Sequence, residues 1–145
     1  QRNGTAPAVL FLDLDGFKAV NDNYGHEAGD QVLMMVAHRL GLSVRQTDTV
    51  ARLGGDEFVV LCEDILRPDD VATVAERIIG EVSQPIEIDG GAVTIGASIG
   101  IAFAQGEHTD PASVLAEADA AMYEAKTAGK GQYRVSRFPP GNAPS

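Results

Sequence analysis

Two adjacent acidic residues follow a pair of glycines near the middle of this 145-residue chain. Asp56 and Glu57 stand between the apolar runs 50–53 and 58–61, a pattern that predicts a β-hairpin with its turn at Gly-Gly. Glycine lets a ligand approach the backbone closely, and paired carboxylates are hard oxygen donors for a cation or a phosphate-bound metal. In an arbitrary sequence such a turn more often carries solvated acids, so the interpretation depends on the rest of the chain.

A second pair of carboxylates ends the apolar run 8–15. The run is apolar on both faces, which predicts a central strand. Asp13 and Asp15 are two residues apart, so their side chains point to the same side of that strand. A carboxylate at the end of a buried strand is unfavourable unless it is paired or bound to a cation. Taken alone, Asp13 is as often a helix or turn cap.

Helices must carry several of the remaining polar residues. Helical spacing and stop signals predict helices over 17–23, about 26–40, 68–82 and from 111 to a stop at Gly129. The inward face of the second helix is predicted to consist of Val32, Leu33, Val36, Ala37 and Leu40. Gly41 is expected to end this helix. Asp30 lies on the side away from the apolar stripe, and His26 stands at the helix start, where a cap or a solvated side chain is the ordinary role.

The strands complete the expected fold. They are predicted at 8–15, at 50–53 and 58–61, at 85–88 and 92–95 in a small hairpin, at 97–104 and at 132–135. This order predicts an α/β (α+β) fold related to the ferredoxin-like arrangement, with a central mixed, mainly antiparallel sheet of about five strands flanked by helices. In such a fold the end of the first strand and the hairpin turn lie side by side. Asp13 would then be next to Asp56 and Glu57.

Composition and charge exclude several classes of function. The chain has 11 basic and 21 acidic residues and a net charge of −10, which argues against nucleic acid or an anionic membrane as the main partner. Cys62 is the single cysteine and ends an apolar strand, so we expect a buried, inert thiol and no disulfide. No apolar run has the length of a transmembrane helix, and no signal peptide is visible. We therefore expect a cytoplasmic domain, which is compatible with an anchor elsewhere in a full-length protein.

The chain is short enough to form one domain with its own core. Residues 1–7 are polar and contain glycine and proline, as a linker remnant would. The domain is expected over 8–137. Residues 138–145 include three prolines and are predicted to be a disordered tail or a linker.

Four stretches of the sequence resemble one protein family. The hairpin Arg52-Leu-Gly-Gly-Asp-Glu-Phe58 is similar to the signature of the GGDEF domain, found in the bacterial diguanylate cyclases that condense two GTP molecules into cyclic di-GMP. Three more stretches resemble the family in its order and spacing: Phe11-Leu-Asp-Leu-Asp-Gly-Phe-Lys-Ala-Val-Asn-Asp22, Gly25-His-Glu-Ala-Gly-Asp30 and Ala118-Asp-Ala-Ala-Met-Tyr-Glu-Ala-Lys126. The resemblance covers about 8–135 and implies a cyclase-palm domain.

The resemblance implies a metal and catalytic role for the carboxylates. Asp13, the carbonyl of Leu14 and Asp56 would coordinate one or two Mg²⁺ (or Mn²⁺) ions, with nucleotide phosphates and water completing the coordination. Asp56 would also assist deprotonation of the attacking 3'-hydroxyl. Glu57 would act as a metal ligand or as polar support. Lys18 would stabilise charge developing on the phosphates.

Other matching positions would bind the substrate. Asn21 and Asp30 resemble the pair that reads the guanine edge, where a carboxylate accepts from the N1–H and the amino group. His26 matches a position beside the nucleotide. Lys126 and Lys130 would hold the terminal phosphates, although each alone also fits a cation that complements the C-terminal dipole of a helix.

A short motif upstream of the hairpin resembles a regulatory site. Arg45-Gln-Thr-Asp48 matches the RxxD inhibitory site of the family. Arg45 would stack on and donate to guanine or phosphate of cyclic di-GMP, and Asp48 would accept from guanine. The resemblance therefore implies product feedback inhibition. Arg77 is a candidate for a second arginine at this site.

Two departures from the family pattern bear on the whole protein. The family usually carries an Asp-x-Leu-Thr-Gly-Leu-x-Asn-Arg stretch just before the position of Gln1, so we expect this sequence to be a fragment of a longer protein. The family's Gly-Arg-Asn is Gly129-Lys-Gly131 here, which makes Lys130 the less certain phosphate ligand. The ending 129–135 resembles sequences that an EAL phosphodiesterase domain follows, so flanking EAL or sensory domains are expected.

The resemblance predicts a diguanylate cyclase, a nucleotidyltransferase that acts as a transient homodimer with one GTP on each protomer. The net charge opposes association of the isolated domain. The alternative is a non-catalytic regulatory module that binds GTP or senses cyclic di-GMP.

Overall fold

The computed structural model describes residues 6–65, 67–104 and 110–136. The strands are β1 (Ala6–Asp15), β2 (Thr49–Gly54), β3 (Glu57–Ile65), β4 (Ile86–Ile88), β5 (Gly91–Val93), β6 (Gly96–Phe103) and β7 (Tyr133–Val135). The helices are α1 (Phe17–Tyr24), α2 (His26–Ser43), α3 (Pro68–Val82) and α4 (Pro111–Thr127). The predicted order of elements is confirmed. The tail expected at 138–145 and all but two residues of the linker expected at 1–7 lie outside the described residues.

The main sheet has five strands in the order β2-β3-β1-β6-β7. Strand β1 is paired with β3 on one edge and with β6 on the other, and both pairs are antiparallel. Only the β6–β7 pair is parallel among the described strands. Strands β4 and β5 form a separate two-stranded hairpin. The prediction of a mixed, mainly antiparallel sheet with a small additional hairpin is therefore confirmed.

The two faces of β1 contribute to two different cores. Leu10, Leu12 and Leu14 are buried in the larger core, which α2 and α3 also line. Phe11, from the alternate set, packs with Val114, Ala118 and Met122 of α4. Each large side chain that is removed from water in this way stabilises the fold by about 1.5–3 kcal/mol. Because side chains alternate along a strand, Asp13 and Asp15 share the α4 side of the sheet with Phe11.

Helix α2 is longer than predicted. It continues through Gly41 to Ser43, and Gly41 does not adopt the left-handed conformation in which glycine commonly ends a helix. Ser43 holds the last turn: its hydroxyl donates to the Arg39 carbonyl at 2.8 Å, and its own carbonyl accepts from Arg77 at 3.0 Å. The prediction that Gly41 ends the helix was wrong.

The inward face of α2 is also narrower than predicted. Val32, Val36 and Leu40 are fully buried, and Leu33 is partly buried. Ala37 is exposed. It follows Val36 by one residue, which is a rotation of about 100° around a helix, and this carries it out of the contact with the sheet.

Helix α4 lies against the sheet at Gly100 of β6. A Cβ atom at this position would be 1.9 Å from the Ala118 carbonyl oxygen and 2.2 Å from the Met122 nitrogen. Both are backbone atoms, so the helix approaches the strand as closely as a residue without a side chain allows. This contact sets the distance between α4 and the end of β1.

We expect Gly100→Ala to destabilise the domain, because the added methyl group can fit only if the backbone of α4 moves away from β6. Overpacking of this kind lowers the free energy of unfolding by about 1–3 kcal/mol. Urea denaturation followed by circular dichroism measures the change.

Gly96→Ala in the same strand is the matched control for this prediction. A Cβ there would be 3.5 Å from Asp15 Oδ2, an ordinary van der Waals distance. A Gly100→Ala variant with the same unfolding midpoint as Gly96→Ala would contradict the steric argument.

Candidate functional site

The end of β1 and the turn between β2 and β3 lie side by side. The Cα of Asp13 is paired with that of Glu57 in the β1–β3 register. The Leu14 backbone nitrogen donates to the carbonyl of Asp56 at 3.2 Å. The structure therefore brings together Asp13, Asp56 and Glu57, as the two separate sequence patterns suggested.

Asp13 and Asp56 form a region of negative potential that is partly withdrawn from water. Burial and the neighbouring Asp13 carboxylate raise the pKa of Asp56 above its ordinary value, and the Lys126 ammonium acts in the opposite direction. The Oδ1 atom of Asp13 is buried and has no hydrogen-bond partner within the described part of the chain. A buried acceptor that faces another carboxylate is unfavourable unless a cation binds beside it.

The donor set fits a hard divalent cation. Two carboxylates, one of them with an unpartnered oxygen, and a nearby backbone carbonyl at Leu14 supply the oxygen ligands that Mg²⁺ prefers. Over residues 6–65, 67–104 and 110–136, no group of three or more His, Cys, Asp or Glu side chains is arranged to hold a metal ion. Backbone carbonyls, water and phosphate oxygens can supply further ligands.

Lys126 in the last turn of α4 is the cation that meets these carboxylates. Its Nζ atom lies 2.5 Å from Asp13 Oδ2 and 3.5 Å from Asp15 Oδ1. Burial alone would lower the pKa of Lys126, but the carboxylates of Asp13 and Asp15 outweigh it and raise that pKa above its ordinary value. The ammonium is therefore held in its charged form at the end of β1.

Asp15 connects three parts of the chain. Its carboxylate accepts from the Ser98 hydroxyl at 2.9 Å and from the Gly131 backbone nitrogen at 3.0 Å, in addition to the ion pair with Lys126. Ser98 is fully buried in β6. Because Gly131 lies in the turn after α4, this one carboxylate ties β1, β6 and that turn together.

Lys130 lies in the same turn and is exposed. Its φ of 61° is left-handed, which is uncommon for a residue with a side chain. Its backbone nitrogen donates to the Ala125 carbonyl at 3.1 Å. The turn thus places Lys130 four residues beyond Lys126, on the segment that Asp15 holds.

Helix α1 and the start of α2 carry the other predicted binding residues. Lys18 is exposed in the first turn of α1, and Asn21 is half-buried against α2. His26 opens α2 and Asp30 follows in its second turn, and both are exposed. The structure shows their places on these two helices, and the guanine contacts expected of them remain predictions.

The first backbone N–H groups of α1 make no hydrogen bond to any part of the chain that the structure describes. Gly16 precedes the helix in a left-handed conformation and provides no side-chain cap. The first N–H groups of a helix have no partner within the helix and favour anions. This feature follows directly after Asp13 and Asp15, and no sequence motif had indicated it.

The first and last residues of the RxxD segment, Arg45 and Asp48, are bonded to each other. Arg45 Nη2 lies 3.3 Å from Asp48 Oδ1 and donates to the Glu63 carbonyl at 2.6 Å. The Asp48 side chain is fully buried, whereas that of Arg45 is 48% exposed. Arg77 donates to the Ser43 carbonyl, two residues before Arg45, so its guanidinium is held close to this segment.

Cys62 lies beside this turn and is buried, as expected. Burial, together with the nearby Asp48 carboxylate, raises the pKa of the thiol to about 12. The thiol is therefore protonated at neutral pH and is a poor nucleophile.

The contacts that position the site were not predicted from the sequence. Asp13 and Asp15 were expected to share one side of a strand, but Asp15 had no predicted role, and neither had Ser98 or Gly131. The alternation of β1 was a usable signal for Asp15. Its partners are 83 and 116 residues away, and no local pattern reveals such pairing.

Comparison with protein families gives one match that covers most of the chain. Residues 1–132 match the family model described as "Diguanylate cyclase, GGDEF domain". No helix among the described residues is long and apolar enough to cross a membrane.

Two curated relatives come from Pseudomonas aeruginosa. The chain is 53% identical over 126 residues to the bifunctional diguanylate cyclase/cyclic di-GMP phosphodiesterase MucR, covering 87% of this chain and 18% of MucR. It is 46% identical over 133 residues to the diguanylate cyclase TpbB, covering 90% of this chain and 30% of TpbB. The chain therefore spans less than a third of the length of either relative.

Solved structures show the same fold. The GGDEF domain of TpbB (YfiN) from Pseudomonas aeruginosa superposes with a TM-score of 0.89 and 41% identity, over 94% of this chain and 86% of that one. The GGDEF domain of DgcB from Caulobacter crescentus, solved in complex with c-di-GMP, gives a TM-score of 0.83 and 33% identity over 91% and 76% of the two chains.

The Asp15 contacts lead to a prediction about the turn after α4. We expect Asp15→Ala to increase amide hydrogen exchange at Gly131 by about tenfold or more, because a hydrogen bond to a charged group contributes about 1.5–3 kcal/mol. Exchange followed by NMR measures this effect. Ser98→Ala is the control, since it leaves the bond between Gly131 and Asp15 in place, and equal protection of Gly131 in all three proteins would contradict the prediction.

Proposed function

Because the chain belongs to the GGDEF family of diguanylate cyclase domains, we propose that it condenses two GTP molecules into cyclic di-GMP and two pyrophosphates. In each half-reaction a 3'-hydroxyl oxygen forms a bond to the α-phosphorus of the other GTP. The bond from that phosphorus to the bridging oxygen breaks, and pyrophosphate leaves. The observation that supports this best is the pair of Asp13 and Asp56, with the buried, unpartnered oxygen on Asp13.

Asp13, the Leu14 carbonyl and Asp56 would hold one or two Mg²⁺ (or Mn²⁺) ions. A divalent cation bound there neutralises phosphate charge and lowers the pKa of the attacking hydroxyl. Asp56 then receives the hydroxyl proton as general base. Glu57 lies opposite Asp13 in the register and contributes a further carboxylate as a ligand or as polar support.

The phosphates would be bound from two directions. Lys126 and, less strongly, Lys130 approach from the end of α4, where Asp15 holds both the ammonium and the turn. Lys18 and the backbone N–H groups at the start of α1, which have no side-chain cap, would contribute from the segment that follows β1. These donors would supply local positive charge in a chain whose net charge is −10. Phosphate binding thus depends on local geometry rather than on overall charge.

Guanine would be read on α1 and α2. The Asp30 carboxylate accepts from the N1–H and amino group, which adenine does not present in that pattern. Asn21 supplies amide donors and acceptors from the facing helix, and His26 lies at the corner between them.

Catalysis requires two protomers. One site holds one GTP, and both 3'-hydroxyls must attack, so two domains would face each other as a transient homodimer. Like charge opposes this association in the isolated domain. Flanking sensory or EAL domains, as in relatives several times longer than this chain, would raise the local concentration of the two domains.

The RxxD segment would bind the product and inhibit the enzyme. The Arg45 side chain is about half exposed, and a guanidinium suits both guanine and phosphate. Asp48 is buried against Arg45, so cyclic di-GMP would exchange contacts within this turn rather than meet a preformed open site. Arg77, which donates to the Ser43 carbonyl, would contribute a second guanidinium.

We expect purified domain at high concentration to release pyrophosphate and form cyclic di-GMP from GTP and Mg²⁺, and to form no cyclic product from ATP. The rate should rise faster than linearly with protein concentration. Asp56→Ala should reduce synthesis by at least about 10²-fold, because it removes both the base and a metal ligand. Chromatography of the nucleotides measures the rate of cyclic di-GMP formation in wild type and in Asp56→Ala.

Asp119→Ala, an exposed carboxylate on α4, is the matched control for this loss. Wild-type protein that binds GTP but releases no pyrophosphate at any concentration would favour the regulatory module that binds without turnover.

Replacing Arg45 should relieve product inhibition. We expect the concentration of cyclic di-GMP that halves the initial rate to rise about tenfold or more in Arg45→Ala, since a bidentate charged contact contributes about 1.5–3 kcal/mol. Arg45→Lys, which keeps a charge beside Asp48 but loses the planar fork, should show part of this effect. Arg134→Ala on β7 serves as the arginine control, and unchanged inhibition in Arg45→Ala would refute the assignment.

A further inference from the structure

Helices α1 and α2 make an unusually close contact at Gly29. A Cβ atom on this residue would lie 1.9 Å from the Asn21 side-chain oxygen, 2.9 Å from Asn21 Cγ and 3.4 Å from the buried ring of Phe17. The first two distances are shorter than any real contact. The amide of Asn21 therefore occupies the space that a side chain at position 29 would fill.

The backbone at this position does not require glycine. Gly29 is in the right-handed helical region, as its bond to the Gly25 carbonyl and its absence from the left-handed glycines show. Glycine within a helix is less favourable than alanine. Gly41 lies in the same helix, and a Cβ atom there would have nothing within 4 Å, so the steric demand belongs to Gly29 and not to the helix as a whole.

The Asn21 amide is placed by packing alone. Among the described residues its side chain makes no hydrogen bond that would fix its rotamer. It lies against the bare Cα of Gly29, and the Phe17 ring also borders the space that a Cβ on Gly29 would fill. Asp30, the other residue expected to read guanine, follows Gly29 directly along α2.

We propose that Gly29 is a positioning residue that determines purine specificity: by lacking a side chain, it lets the Asn21 amide rest against α2 beside Asp30, where the two can read one guanine. The guanine assignment in this statement rests on the function proposed above. The steric relation between Gly29 and Asn21 rests on the structure.

The nature of the displaced atom gives this proposal a distinctive signature. The atom nearest to a new methyl group is the end of a short, rotatable side chain and not backbone. Gly29→Ala can therefore be accommodated by rotation of Asn21, and alanine is the better helix former. The variant should be about as stable as wild type, or more stable, while its guanine selectivity is lost. A residue with only a structural role would not separate these two properties.

The experiment uses 3'-deoxy-GTP and 3'-deoxy-ATP, which lack the attacking hydroxyl and cannot be condensed. Their dissociation constants are measured with Mg²⁺ by calorimetry for wild type, Gly29→Ala, Asn21→Ala, the double variant of these two, and Asp30→Ala. We expect the ratio of guanine to adenine affinity to fall about tenfold in Gly29→Ala, with the affinity for the adenine analogue little changed. The double variant should be no less selective than Asn21→Ala, because the methyl group then has no amide to displace.

Gly41→Ala is the matched control, since it adds the same methyl group to the same helix in open space. It should keep wild-type selectivity. Its melting temperature should rise at least as much as that of Gly29→Ala. The side-chain amide signals of Asn21 in a ¹H–¹⁵N spectrum should shift in Gly29→Ala and stay in place in Gly41→Ala.

The outcomes distinguish this proposal from the function on which it rests. Full selectivity in Gly29→Ala together with lost selectivity in Asn21→Ala would overturn the positioning role and leave the guanine site intact. Full selectivity in both Asn21→Ala and Asp30→Ala would overturn the guanine site itself, and the proposal with it. Additive losses in the double variant, or a clear drop in the melting temperature of Gly29→Ala alone, would show that the methyl group acts through the helix and not through Asn21.

Discussion

The site depends on the carboxylate of Asp13, which lies near the end of a strand that is paired on both edges. Strand β1 is paired with β3 and with β6, so two hydrogen-bonded ladders determine where this side chain points. One oxygen is paired with Lys126 and the other is buried without a partner in the described part of the chain. Charge in such a position is stable only beside opposite charge. The end of β1 therefore demands positive charge, although the chain as a whole is acidic.

Lys126 supplies part of this positive charge and contacts the carboxylates of both Asp13 and Asp15. A cation held by Asp13 and Asp56 would compete with this ammonium for the same carboxylate, because two positive charges at contact distance repel each other. Asp15 has independent donors in Ser98 and Gly131, so it keeps its place and its attraction for Lys126 when Asp13 changes partner. In the proposed complex with GTP, the same lysine would then stay beside Asp15 and close enough to contact phosphate.

Much of this architecture follows from local patterns. Alternation along β1 and the acidic hairpin turn placed the carboxylates at the ends of strands, and the fold predicted from the order of the elements then brought Asp13 next to Asp56. The end of α2 was mispredicted because the guanidinium that holds Ser43 comes from Arg77, 34 residues further along the chain. For the same reason the partners of Asp15 could not be found. Contacts between distant segments depend on tertiary packing that no residue spacing encodes.

Two glycines, which have no Cβ atom, set the spacing of the predicted substrate site. Gly100 allows the backbone of α4 to approach β6, and this approach brings Lys126 within reach of Asp13 and Asp15. Gly29 allows the Asn21 amide to lie between α1 and α2. In a sequence, a glycine within a helix or strand signals only a weak element. In this fold both glycines leave space for a neighbouring helix backbone or side chain, so a residue of low local propensity stands at the two contacts that would position the phosphate and base ends of the predicted site.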